Sequence, residues 1–237
     1  MDVKGAYLNS TLDEEIYMHQ PDGFDDKSGR VLKLHWAIYG LKQSGHSWYK
    51  KLTMVLFNDR FTWSHADNCV SYKKMGNRLS IIMIYMDYLG LFASTKALMA
   101  SIKTLLHSNF TMKDLGEMLK ILGIRVEIDP HCHSIKLLQG HYIDIIIQRF
   151  NLDRALPVDT PILHDIKSLE PPPDGDPTPD TPYTQVIRSL MYAILGLRPN
   201  IMFAVQQLSQ HTHDFSQAHW TAVKCVIRYL KGTHDAV

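Results

Sequence analysis

The sequence predicts an α+β fold, and three observations predict it. An isoleucine-rich apolar run, Ser80 to Met86, is followed two residues later by a second, Leu89 to Ala93. Several other stretches carry apolar residues at helical spacing, and strands and helices alternate without a strict strand–helix–strand rhythm. Composition permits such a fold: of 237 residues, 45% are apolar and 21% are charged with mixed sign, unlike a disordered chain. The formal net charge of +1 argues against a general nucleic-acid coat, while leaving room for a groove lined locally with Lys and Arg. Cys69, Cys132 and Cys225 are too scattered for a disulfide framework or a zinc ribbon, which points to a reducing compartment. No apolar run approaches the length of a membrane span, and Met1-Asp2-Val3-Lys4 carries no signal segment.

In chain order, Asp2 to Asn9 reads as a strand running into a turn. Leu41 to Phe57 reads as a helix with Leu41, Trp48, Leu52, Val55 and Leu56 near one face. Ser80 to Met86 and Leu89 to Ala93 form a hairpin, with Asp87 and Tyr88 as its turn. Thr95 caps a helix reaching about Ser108. Lys120 to Ile128 and Ser134 to Leu138 are strands around Asp129-Pro130, and Tyr142 to Phe150 is a helix. Eight prolines between Pro157 and Pro182 mark an extended, solvated linker. Beyond it, Thr184 to Leu195, Asn200 to Gln210 and Gln217 to Leu230 are helices. The expected organisation is a mixed region over 1–150, a linker over 151–182 and a helical region over 183–237.

Two acids stand out by context: Asp2 at the start of its strand, and Asp87 at the tip of an apolar hairpin. A carboxylate between buried strands is costly unless paired. A divalent cation is a fitting partner, and two such carboxylates can serve two cations in an in-line displacement at phosphorus. On spacing alone, the plainer reading of a turn residue and a terminal residue carries more weight. His131-Cys132-His133 and the set His211, His213 and His219 lack the spacing of a structural zinc site and read as exposed loop histidines. Trp48-Tyr49-Lys50-Lys51 could lie along a nucleic-acid strand, but Trp48 shares the apolar helical face and reads as core.

The order of segments resembles copia-type retrotransposon reverse transcriptases along nearly the whole chain. Met1-Asp2-Val3-Lys4-Gly5-Ala6-Tyr7-Leu8-Asn9 is similar to the family's first catalytic motif, and Asp13 to Phe24 to the acidic segment after it. Ile38-Tyr39-Gly40-Leu41-Lys42-Gln43-Ser44 with Trp48-Tyr49, then Asp67-Asn68-Cys69-Val70, resemble the next blocks. Tyr85-Met86-Asp87-Tyr88 stands where the family has tyrosine, any residue and two aspartates. Met112 to Gly116, Ile121-Leu122-Gly123, Ser189 to Tyr192, Arg198 to Ile201 and Arg228 to Thr233 resemble the run toward the family's ribonuclease H domain.

The resemblance implies a palm, an antiparallel sheet backed by helices on one face, followed by a mainly helical thumb and connection. It implies Asp2 and Asp87 as catalytic Mg²⁺ ligands side by side on the open face. Tyr7 would pack under the incoming sugar, with an ordinary core tyrosine as the alternative. Gln43 would face nucleotide or template. Lys42 would meet phosphate, or else be a solvated helix-start lysine. The implied partners are an RNA template, a DNA primer and deoxynucleoside triphosphates. The implied location is cytoplasmic, in virus-like particles, with the nucleus as the alternative. Departures weigh against activity. Tyr88 replaces the second aspartate, and a phenol is a poor ligand for a hard cation. The chain also starts at the first catalytic motif, without the family's fingers, and ends before a ribonuclease H domain. The expectation is a fragment with little or no primer extension of its own. The alternative is a non-catalytic nucleic-acid- or protein-binding module derived from the transposon.

Overall fold

The computed structural model describes residues 1–129, 131–162, 169 and 179–235. The chain divides into two compact units, Met1–Glu117 and Met118–Val237, and helix is mixed with antiparallel sheet as the α+β expectation required.

The first unit runs β1 (Asp2–Val3), a 3-10 turn (Ala6–Asn9), β2 (Thr11–Met18), β3 (Leu32–Trp36), α1 (Ser44–Asn58), β4 (Thr62–Trp63), β5 (Val70–Met75), β6 (Arg78–Tyr85), β7 (Tyr88–Ala93), α2 (Lys96–Asn109) and β8 (Met112–Lys113). Six strands form one antiparallel sheet in the order β4-β5-β6-β7-β1-β8, so the N-terminal strand is inserted between elements far along the chain. Its core-facing side alternates as a half-covered sheet must: Ile82, Ile84, Leu89, Val3 and Met112 are buried. Against them pack Trp48, Leu52 and Leu56 of α1 and Ile102 and Leu106 of α2. Thr95 caps α2 as expected, its hydroxyl accepting from Leu98 N at 3.3 Å. Lys103 bridges to Asp114 at 2.7 Å, beside the end of β8.

Several readings from sequence change here. The tight turn is Met86-Asp87, one residue earlier than expected, because Tyr88 already pairs with Tyr85 in the ladder. Met86 takes a left-handed conformation, φ 51°, to close it. The hairpin β2–β3 carried no legible signal. Its exposed run Asp13-Glu14-Glu15 breaks the alternation, and it pairs as a two-stranded ribbon outside the main sheet.

The second unit contains β9 (Lys120–Ile121), β10 (Ile124–Asp129), β11 (Ser134–Leu138), α3 (Gly140–Arg149), α4 (Tyr183–Gly196), α5 (Met202–Ser209) and α6 (Gln217–Gly232). The single strand expected over Lys120 to Ile128 is two strands, folded at Leu122-Gly123, where both residues have positive φ (48° and 77°). Asn200 to Gln210 begins as a 3-10 turn, Pro199–Ile201, before α5. At the β10–β11 turn, Asp129 Oδ1 accepts from His131 N and Cys132 N at 2.9 and 3.1 Å; Pro130 lies outside the described residues.

The division of the chain falls earlier than the expected 150/151 boundary. Ile143, Ile146, Ile147 and Phe150, before the proline-rich segment, share one core with Val186, Leu190, Val205, Val226 and Ile227 beyond it. Residues 151–162 are not a free linker either. Arg228 Nε donates to Leu156 O at 2.6 Å and Lys231 Nζ to Ala155 O at 3.0 Å, so α6 holds this stretch by its carbonyls. Residues 163–168 and 170–178 of the expected linker lie outside the described residues.

Candidate functional site

The site is built at the end of the large sheet. In an antiparallel ladder, residues directly opposite share a face. Asp2 is opposite Tyr88 on one side and Lys113 on the other, and Tyr88 is opposite Tyr85. Val3 and Leu89 point into the core, so Asp2, Lys113, Tyr85 and Tyr88 form a row on the face away from the helices. Asp87 lies one position along from Tyr88, in the turn. Its carbonyl accepts from Val3 N at 2.9 Å, which sets it diagonally across from Asp2. The backbone thus brings the two acids into neighbouring positions. Tyr88 stands at the head of β7 and is 53% exposed.

Two side chains hold the hairpin turn in place. Trp48, buried on α1 as the sequence predicts, also donates Nε1–H to Met86 O at 3.0 Å. That bond satisfies a carbonyl of the left-handed turn residue and joins helix to hairpin. Tyr39 donates its hydroxyl to Asp87 Oδ2 at 2.7 Å, and its ring lies 4.5 Å from that of Tyr7. Burial of the hydroxyl, and then the hydrogen bond and charge of Asp87, push the Tyr39 phenol up to about 12. Tyr7 is half-buried on the 3-10 turn that follows β1. Lys42 is exposed, and Gln43 caps the start of α1 by position, without a side-chain hydrogen bond. Among the described residues, neither makes a side-chain hydrogen bond or ion pair with Asp2 or Asp87. In sequence Tyr39 is one residue of the Ile38 to Ser44 motif, without a role of its own. A tyrosine before a helix carries no local sign that its hydroxyl reaches an acid 48 positions on.

The donor chemistry suits a hard cation in part. Asp87 Oδ1 is buried and takes no hydrogen bond among the described residues, an anionic oxygen left free for a ligand. Yet among the described residues no group of three His, Cys, Asp or Glu could hold a metal ion. The third oxygen donor that the resemblance expects is replaced by the Tyr88 phenol.

The histidines divide. His131 and His133 are exposed on a turn, as predicted. His219, read from sequence as an exposed loop residue, is instead fully buried in the first turn of α6. There its Nδ1 accepts from Ser216 N at 3.1 Å, and its ring lies 4.2 Å from that of His211 with the planes tilted by 43°.

An antiparallel sheet with helices on one face and two acids at one end is the framework on which comparison with known proteins bears. The profile of the family described as reverse transcriptase (RNA-dependent DNA polymerase) matches residues 1–164, and the chain belongs to that family. Several of its relatives are retrovirus-related Pol polyproteins of transposons. The chain is 36% identical over 241 residues to the retrovirus-related Pol polyprotein from transposon TNT 1-94 of Nicotiana tabacum, covering 98% of this chain and 18% of that protein. It is 34% identical to the corresponding polyprotein from transposon RE2 of Arabidopsis thaliana, covering 99% of this chain and 16% of the relative. A putative transposon Ty5-1 protein of Saccharomyces cerevisiae is 28% identical over 99% of this chain and 76% of its own length. The chain therefore spans under a fifth of the two plant polyproteins. No solved structure matches it. Among the described residues, no helix is long and apolar enough to cross a membrane.

Proposed function

We propose that this chain carries the palm of an RNA-directed DNA polymerase, with a nucleotidyl-transfer site weakened by Tyr88, and that the helical second unit serves as thumb and connection. The observation that carries the reading is the Val3 N–H to Asp87 C=O bond, which puts Asp2 and Asp87 at neighbouring positions on adjacent backbone. Asp2 and Asp87 would hold Mg²⁺, and Asp87 Oδ1 is the oxygen free to do so. Bound there, the cation supplies Lewis-acid stabilisation of charge at phosphorus. Tyr7 would set the floor under the sugar of a deoxynucleoside triphosphate, its ring braced by Tyr39. Lys42 and Gln43, at the start of α1, would meet template or phosphate. Tyr88 removes one negative charge and one hard oxygen from the acid row. Phosphoryl transfer depends on positioning and charge stabilisation, so primer extension on an RNA template is expected to be feeble.

Comparison of the parent with Tyr88→Asp tests this. Divalent-cation affinity, read with Mn²⁺ by electron paramagnetic resonance, should rise at least about tenfold (~1.4 kcal/mol) in Y88D. Mg²⁺-dependent extension of oligo(dT) on poly(rA) should rise with it. Equal affinity in the two proteins, or robust extension by the parent, sinks the reading. A second reading is favoured by the missing third ligand: a non-catalytic module that binds nucleic acid or protein. Salt-sensitive binding of an RNA–DNA hybrid, with no extension by either protein, would select it.

A further inference from the structure

The second unit has a concavity of its own, about 410 Å³, a size usual for small-molecule sites (~300–1,000 Å³). Arg149, in the last turn of α3, and Arg188, midway along α4, both line it, and no carboxylate does. Among the described residues neither guanidinium is in an ion pair with an acid. Two like charges on one concave surface repel unless an anion joins them, and guanidinium is well shaped for phosphate oxygens. The Arg149 guanidinium lies 5.5 Å from the Phe150 ring, which steadies its stem.

The aromatic part of the surface is fixed in advance. Tyr142 and Tyr192 meet at 4.8 Å with their planes tilted by 58°. Each hydroxyl donates to a carbonyl, Tyr142 to Ser189 O at 3.1 Å and Tyr192 to Leu122 O at 2.7 Å. The rings are thereby held without any acid, and Tyr192 remains 44% exposed. Gly123 also lines the surface, close enough to the Tyr192 hydroxyl that a Cβ there would touch it at 3.4 Å. Gln185, exposed on α4, offers both a donor and an acceptor.

We propose that this surface is a nucleotide-phosphate site, with a phosphate between Arg149 and Arg188 and a base against the Tyr192 ring. It goes beyond the carboxylate site and does not depend on metal binding there. The nucleotide can be free, or one unit of a single strand; the recognising chemistry is the same, and base–aromatic stacking tolerates any base. The full chain should bind fluorescent oligothymidylate in an anisotropy titration. Arg149→Gln/Arg188→Gln should weaken this at least about tenfold and reduce the salt slope by roughly 0.7, the share of the one phosphate held between them. Arg188→Gln alone serves if the double variant melts early. Tyr192→Leu should weaken oligothymidylate and ADP binding, while Tyr192→Phe, which keeps the ring, should not. ADP displacing the strand at similar concentration assigns the site to free nucleotides; strand binding that resists ADP assigns it to strands. The proposal is overturned if the parent binds neither probe, if the arginine variants keep full affinity, or if only inorganic phosphate binds and Tyr192 is immaterial.

Discussion

The hydroxyl of Tyr39 donates to Asp87 Oδ2 while its ring rests on Tyr7, so one phenol braces two residues of the candidate site. The contact has a spectroscopic signature. With the phenol pushed up to about 12 by burial of the hydroxyl and then by Asp87, Tyr39 should ionise after an ordinary tyrosine in an ultraviolet absorbance titration. Asp87→Asn should move its ionisation down toward about 10; an unchanged titration would show that the carboxylate is not the partner. The linkage follows from the direction of the shift. A folded-state value above the unfolded one contributes stability below about pH 10, lost as pH rises toward 12. Tyr39 is half-exposed, so solvent screens much of this and the loss should be small.

Among the elements, the β9–β10 hairpin is held in a conformation its sequence resists. Leu122 and Gly123 both have positive φ, the requirement of a two-residue turn that matches strand twist. Glycine meets it freely, whereas a leucine there costs roughly 1–2 kcal/mol. Leu122 is 46% exposed and gives back only part of this by burial. Leu122→Asn should therefore stabilise the chain by about 0.5–1 kcal/mol, since asparagine tolerates this region. The Tyr192 bond to the Leu122 carbonyl would survive, as it uses backbone. Urea unfolding measures the change, and a destabilised L122N would mean the leucine side chain matters more than its backbone. Met86, at φ 51° in the β6–β7 turn, shows the same strain beside the candidate site, where Trp48 holds its carbonyl.

For the molecule as a whole, two histidines act on the pH dependence of stability in opposite directions. Burial, and then the nearby His211, lower the pKa of His219 from its ordinary 6.5. Its contribution is present above about pH 6.5 and lost as pH falls, because the unfolded chain binds the proton first. His234 is raised, by hydrogen bonds to Asp235 and then Asp144 against some burial; its contribution is present below 6.5 and lost as pH rises. In denaturation midpoints between about pH 7 and about pH 5, His219→Gln should flatten the acid loss and His234→Gln should steepen it. Identical slopes in all three proteins would refute both assignments.

Much of this was legible in the residues themselves. Period-3.6 stripes marked α1, α2, α3, α4 and α6, Thr95 marked a helix start, and the paired isoleucine-rich runs marked the β6–β7 hairpin, because these signals lie within a few residues of one another. The ordered motifs marked the family. Strands such as Val70–Met75, with Lys73 and Lys74, and the two-residue Met112–Lys113 left no such trace, since their identity comes from the partner strand. The sequence alone therefore determined which segments coil, which extend, and which acids invite attention. Only the tertiary structure decided that β1 enters the sheet between β7 and β8, bringing Asp2 and Asp87 together. It alone decided that Tyr39 reaches Asp87, and that helices on both sides of the proline-rich segment share one core. Those outcomes depend on ladder register and burial between residues far apart in the chain, which local periodicity does not encode.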